Sequence, residues 1–168
     1  MKIIALVILP LMLIIAKDIP TQPIKGFELD RYLGKWYEIA RLDHRFERGL
    51  QKVTAEYSLS NDGRIKVINN GFSNKKGKWN KAIGKAKFAE DKNTGFLKVS
   101  FFGPFYGSYI IFELDMDNYS YAFISGDNTK YLWFLSRTPN VSDELIEDFL
   151  QKAKDLGFNT DDLIFIEH

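Results

Sequence analysis

From Gly34 to Arg137 the chain is cut by closely spaced turn signals into short runs of strand character, and few folds accommodate that rhythm. Val53, Ala55, Tyr57 and Leu59 alternate with Lys52, Thr54, Glu56 and Ser58, a period of two that divides a strand into two faces. Asn61–Asp62–Gly63 is a tight-turn signal, after which Ile65 and Val67 alternate with Arg64 and Lys66. A second turn around Asn70–Gly77 leads into Lys78–Glu90, and Asn93–Thr94–Gly95 turns the chain into Leu97, Val99 and Phe101. Gly103–Pro104–Phe105–Tyr106–Gly107 reads as a stiff aromatic turn. Ser108–Leu114, Tyr119–Ser125 and Tyr131–Arg137 supply three more strands. With the opening run Gly34–Asp43 this makes eight strands joined by hairpin-length loops, which predicts an all-β, eight-stranded antiparallel up-and-down barrel. Closure also removes exposed strand edges.

After the eighth strand the period changes. Ser142 is a good N-cap, and Asp143 and Glu144 suit the positive end of a helix. Leu145, Ile146, Phe149, Leu150, Ala153 and Leu156 form one apolar stripe that Gly157 ends. This predicts a C-terminal helix packed outside the barrel, followed by a short strand over Leu163–Ile166. At the other end, Lys2 precedes the apolar run Ile3–Ala16, too short for a bilayer span of roughly 20 residues. Residues 1–16 read as a secretory signal peptide or an uncleaved N-terminal anchor, 17–26 as a tether, and 27–168 as the folded domain.

Composition narrows the chemistry. With no Cys, the chain has no thiol nucleophile, disulfide or zinc-thiolate site. A net charge of +1 lacks the basic excess of a nucleic-acid binder. His44 and His168 are the only histidines, and no Gly-x-Ser-x-Gly elbow, His-Glu-x-x-His or phosphate-cradling glycine loop occurs. Neither an enzyme nor a cofactor or metal site is therefore expected.

Placing the lysines outside turns Val53, Ala55, Tyr57, Ala82, Gly84, Ala86, Phe88, Leu97, Val99 and Phe101 inward. Several are small, and an eight-stranded barrel has room either for side chains or for one small ligand. If Trp36 points in, regular alternation carries Glu38, Ala40 and Leu42 in with it. A carboxylate there must be paired or protonated, or else Glu38 lies on the outer face; both readings stay open. Strands one and eight are neighbours in a closed meander, which sets Arg137 beside Trp36 as a guanidinium–indole plug.

Gly34-x-Trp36, the Asp115…Tyr119 turn and Arg137 resemble the lipocalin signature. The likeness is closer to bacterial, outer-membrane lipocalins, on the blocks at 36–41, 44–50, 101–107 and 131–139. Plant temperature-induced lipocalins and apolipoprotein D are similar at greater distance. The resemblance implies a calyx that carries a small hydrophobic ligand, a fatty acid or lysophospholipid, in an exported protein of the periplasm or outer membrane. The bacterial members' lipobox Cys is missing here. Ala40, Phe46, Ala55, Tyr57, Ala86, Phe88, Val99, Phe101, Phe112 and Trp133 are the expected ligand contacts. His44, Arg45 and Arg48 are headgroup candidates at the mouth, against a self-paired loop through Asp43 and Glu47. Phe105 and Tyr106 line the mouth, meet the membrane periphery or a second copy in a homodimer, or simply pack.

Overall fold

The computed structural model describes residues 19–168, so the segment expected to be a signal or anchor, residues 1–16, lies outside the described residues. One helical turn, α1 (Leu29–Tyr32), delivers the chain to Gly34, whose φ of +96° is a left-handed value that glycine adopts freely. Eight strands follow: β1 (Gly34–Leu42), β2 (Leu50–Leu59), β3 (Ile65–Ser73), β4 (Lys78–Phe88), β5 (Phe96–Phe102), β6 (Phe105–Leu114), β7 (Tyr121–Ser125) and β8 (Leu132–Ser136). Each pairs antiparallel with the next, and β1 pairs with both β2 and β8, closing the barrel. The expected fold class is the one that forms.

The predicted helix is α2 (Asp143–Asp155), with the Ser142 hydroxyl accepting from Leu145 N and Gly157 following at φ +84°. It packs outside the barrel, where Phe149 and Ala153 meet Ile39, Ala40, Leu42, Phe123 and Phe134. Beyond it runs β9 (Leu163–Phe165), a ninth strand. Regular β1–β2 pairing stops at Tyr37 opposite Thr54, and past that point Ala40–Leu42 pair with β9 instead. The tail then bridges the gap: Ile166 N donates to Ile39 O at 2.9 Å and Lys52 N to Glu167 O at 2.8 Å.

Several strand boundaries move, and β3 runs on to Ser73, through the first half of the turn expected around Asn70–Gly77. Only Gly103 and Pro104 form the β5–β6 turn, because Phe105–Gly107 already belong to β6. Tyr119 precedes β7, in a left-handed conformation with φ +53°.

A second core fills the floor inside the barrel, built on Phe27, Tyr32, Trp36, Leu97, Ile111 and Leu114. Trp36 is fully buried, and its indole Nε1 donates to Tyr32 O at 2.8 Å. The Arg137 guanidinium stacks over the indole at 3.9 Å and donates to Lys35 O, Arg31 O and Tyr119 O. A Cβ on Gly34 would make only ordinary contact with Arg137 Nη1, at 3.4 Å, so the left-handed backbone is what calls for glycine there. Asp115 accepts from Asn118 N and from the backbone and hydroxyl of Ser120, fixing the turn that holds Tyr119. The Tyr119 hydroxyl in turn accepts from Glu28 N at 3.0 Å. The signature residues thus converge on one task, sealing the barrel's lower end.

Register shifts interrupt four of the strand pairs, and two residues expected to face inward face out. β1 slips against β8 between Glu38 and Ala40, so Trp36 and Glu38 face in while Ala40 faces out, against α2. On β6, Gly107 and Tyr109 face the cavity and Ile111 the inner core, so alternation turns Phe112 to the outer core beside Phe123, with ring centroids 6.2 Å apart.

Candidate functional site: the barrel cavity

Above the floor the barrel is hollow. A cavity of about 930 Å³ opens between the 43–49 loop, the β5–β6 turn and the β7–β8 loop. That volume lies within the range typical of small-molecule sites, roughly 300–1,000 Å³. Its walls are mainly Val53, Ala55, Tyr57, Val67, Val99, Phe101 and Leu135. Small side chains on β4 do not all enlarge it: a Cβ on Gly84 would meet Phe101 Cδ1 and Ser100 O at 2.7 Å, so that glycine makes room for the Phe101 ring.

Of the expected contacts, Phe46, Ala55, Tyr57, Val99, Phe101 and Trp133 line the cavity. Ala86 and Phe88 pack lower down, in the filled floor, where Phe88 meets Phe27 edge-on at 6.2 Å. Ala40 and Phe112 stand on the far side of the wall. Among the headgroup candidates, His44 and Arg45 border the cavity. Arg48 does not; it is exposed and its Nε donates to Asp43 Oδ2 at 2.8 Å. The loop pairs with itself a second time through His44 Nε2 and Glu47 Oε2, 2.7 Å apart. Among the described residues Arg45 has no carboxylate partner, and it lies over the Phe46 ring at 4.8 Å.

The inner wall also carries a charged network. Because of the β1 bulge, Glu38 and Arg41, three residues apart, turn to the same side, and Arg41 Nη1 donates to Glu38 Oε1 at 2.7 Å. In an unbroken strand they would face opposite ways, as the sequence suggests. Arg41 Nη2 donates to Glu47 O at 2.7 Å and Leu50 O at 3.3 Å, tying the mouth loop to the wall. Burial, then the Glu47 carboxylate, push Glu38 well above the usual carboxylate range against the pull of Arg41. Burial pushes Glu47 the same way, but His44, the Trp133 indole N–H and Arg41 outweigh it and hold its carboxyl low. Glu38 is therefore an inward, paired carboxylate, and Arg41 is the partner that regular alternation conceals. Lys35 and Arg41 each lie three residues from Glu38 in sequence, and the bulge is what turns Arg41 inward to meet it.

At the bottom of the cavity three tyrosines share hydroxyl bonds: Tyr57 donates to Tyr109 at 2.8 Å, and Tyr32 and Tyr109 lie 2.7 Å apart. Burial pushes all three phenols up, so they stay neutral. Tyr109 escapes a sequence reading because the strand it lies on carries no lysine spacing to set its phase.

A closed barrel with a plugged floor and a largely apolar, open-topped hollow defines a calyx protein. The family described as "Lipocalin-like domain" matches residues 27–168, and the chain belongs to the lipocalin family. It is 59% identical over 146 residues to "Outer membrane lipoprotein Blc" of Vibrio cholerae serotype O1, covering 87% of this chain and 85% of that protein. It is 35% identical to "Temperature-induced lipocalin-1" of Arabidopsis thaliana, over 81% of this chain and 76% of that one. Among solved structures, insecticyanin from the tobacco hornworm Manduca sexta superposes with a TM-score of 0.71 at 22% identity, over 88% and 84% of the two chains. That likeness concerns the fold.

Proposed function

We propose that this protein binds a fatty acid or a lysophospholipid in its calyx and carries or stores it at the bacterial envelope. The observation that carries the reading is the cavity of about 930 Å³, its walls mainly apolar and one end open. An acyl chain entering it gains roughly 0.8 kcal/mol per buried CH₂, less the ordering costs of association. Wall charges do not oppose this, since Glu38 is matched by Arg41 and Glu47 by His44. Arg45, at the mouth and without a carboxylate partner among the described residues, suits a phosphate or carboxylate. The envelope location draws support from the name of the Vibrio cholerae relative. The hollow argues against the alternative of a filled barrel acting only as an interaction module.

The test is to purify the protein, extract it with organic solvent, identify what is released by mass spectrometry, and titrate the stripped protein with a fluorescent fatty acid. A bound lipid and saturable displacement are expected; neither appearing would overturn the reading. Arg45→Ala should weaken lysophospholipid binding by about tenfold, the equivalent of 1.4 kcal/mol, and spare an uncharged chain. Equal loss for both would remove Arg45 from the site.

A further inference from the structure

The β3–β4 hairpin presents a face whose composition the barrel does not require. Between Ile65 and Phe88 there are seven lysines and no carboxylate. Register sorts its outward side chains into cross-strand rows: Phe72 opposite Trp79, Asn70 opposite Lys81, Ile68 opposite Ile83, and Lys66 opposite Lys85. On the next strand Lys87 faces Lys98 in the same way. Like charges directly opposite one another destabilise a sheet. Among the described residues none of these lysines enters a salt bridge, although Glu56 on β2, opposite Ile68, borders the face. Lys85 and Lys87 lie over the Tyr106 ring at 5.7 and 4.4 Å. Trp79 is 59% exposed and Ile83 57%, with Trp79 braced edge-on by Phe72. Where this face reaches the mouth, the β5–β6 turn adds Phe102 and Phe105, also exposed.

We propose that this outer face of β3–β5 is a docking surface for an anionic lipid bilayer. Interleaved lysines and an exposed indole match such a surface on both counts. The ammonium groups are drawn to anionic headgroups, and tryptophan favours the boundary between headgroups and chains. A second copy of the chain would set lysine rows against lysine rows, and a protein partner would need carboxylates in matching register. Docking here brings the β3–β4 loop and the aromatic β5–β6 turn to the headgroups, so the calyx mouth stands beside the bilayer. The inference does not depend on which ligand the calyx holds.

Co-sedimentation of the full chain with vesicles tests it, comparing phosphatidylcholine alone with equal parts phosphatidylcholine and phosphatidylglycerol. Wild type should bind the mixed vesicles at least about tenfold more tightly, and less so as salt rises. Lys66→Glu with Lys85→Glu, neither of which lines the cavity, should lower that binding by about 30-fold or more, taking roughly fivefold for each lysine lost. Trp79→Ser should lower it several-fold. Both variants should keep the wild-type melting temperature and fatty-acid displacement, and the N-terminal segment, common to all, cancels in the ratio. Equal binding to both vesicle types, or variants that bind as wild type does, would overturn the proposal. Binding to an acidic polypeptide but not to vesicles would reassign the face to a protein partner, and self-association lost in the variants would reassign it to a second copy.

Discussion

Replacing Arg41 by methionine keeps the length of the side chain on the inner wall and removes its charge. Glu38 is only 3% exposed and Arg41 1%, so the carboxylate left behind has almost no access to bulk water. Breaking a buried pair by deleting one partner costs about 3–5 kcal/mol. For a domain of this size that is a fall in melting temperature of about 6–20 °C, taking roughly 2–4 °C per kcal/mol. The loss should depend on pH in a stated direction. Burial and Glu47 already raise Glu38, and without Arg41 it rises further. An acid whose folded pKa lies above its unfolded value, about 4.3, holds its proton more tightly when folded. Its contribution therefore falls as pH rises through that window and recovers as pH falls. The deficit of R41M relative to wild type should grow as pH rises through the raised pKa of Glu38 and shrink as pH falls below it. Urea melts of both proteins across that range measure it, and the double variant Glu38→Gln with Arg41→Met should recover much of the loss. A deficit below about 1 kcal/mol, or one that widens on acidification, would refute the account of the network.

The floor and the hollow make separate predictions. Arg137→Ala should cost about 2–4 kcal/mol in thermal or urea melts, since it removes the indole stack and leaves the carbonyls of Lys35, Arg31 and Tyr119 unpaired. Arg137→Lys should restore less than half of that, because an ammonium cannot match the planar fork. Ala55→Phe should reduce fatty-acid displacement by about tenfold or more, at a cost of about 1–3 kcal/mol because Ala55 packs opposite Trp36. If binding survives that change intact, the ligand does not occupy the cavity.

Where the sequence led to the structure and where it did not follows from how each signal arises. Lysine spacing on β2, β4 and β5 sets their phase, so Ala55, Tyr57, Val99 and Phe101 fall inside as expected. The guanidinium–indole plug followed from connectivity alone, because closing a meander makes strands one and eight neighbours. Bulges carry no such signal. The slip beside Ile39 shifts alternation by one residue, which moved Ala40 through the wall and hid the Glu38–Arg41 pair, whereas Phe112 was misplaced because β6 has no lysine to set its phase. Ala86 and Phe88 failed differently: their face was right, but depth along the barrel axis depends on how far Phe27 and Tyr32 fill it from below. The pairing of the 43–49 loop with itself could be proposed from its charges but not decided, since loop geometry rests on a few contacts of long reach.

One seam of the barrel has a consequence for how the protein is made. Past Tyr37 the wall between β1 and β2 is completed by the tail, through Glu167 N to Gln51 Oε1 and His168 Nε2 to Glu38 O, contacts that span 116 and 130 residues. A polypeptide emerging N-terminus first from a ribosome or an export channel displays β1–β8 long before those residues arrive. Such distant closures are slow relative to local pairing. Until the tail arrives, the upper half of that seam, beside Glu38 and Arg41, has no chain to complete it.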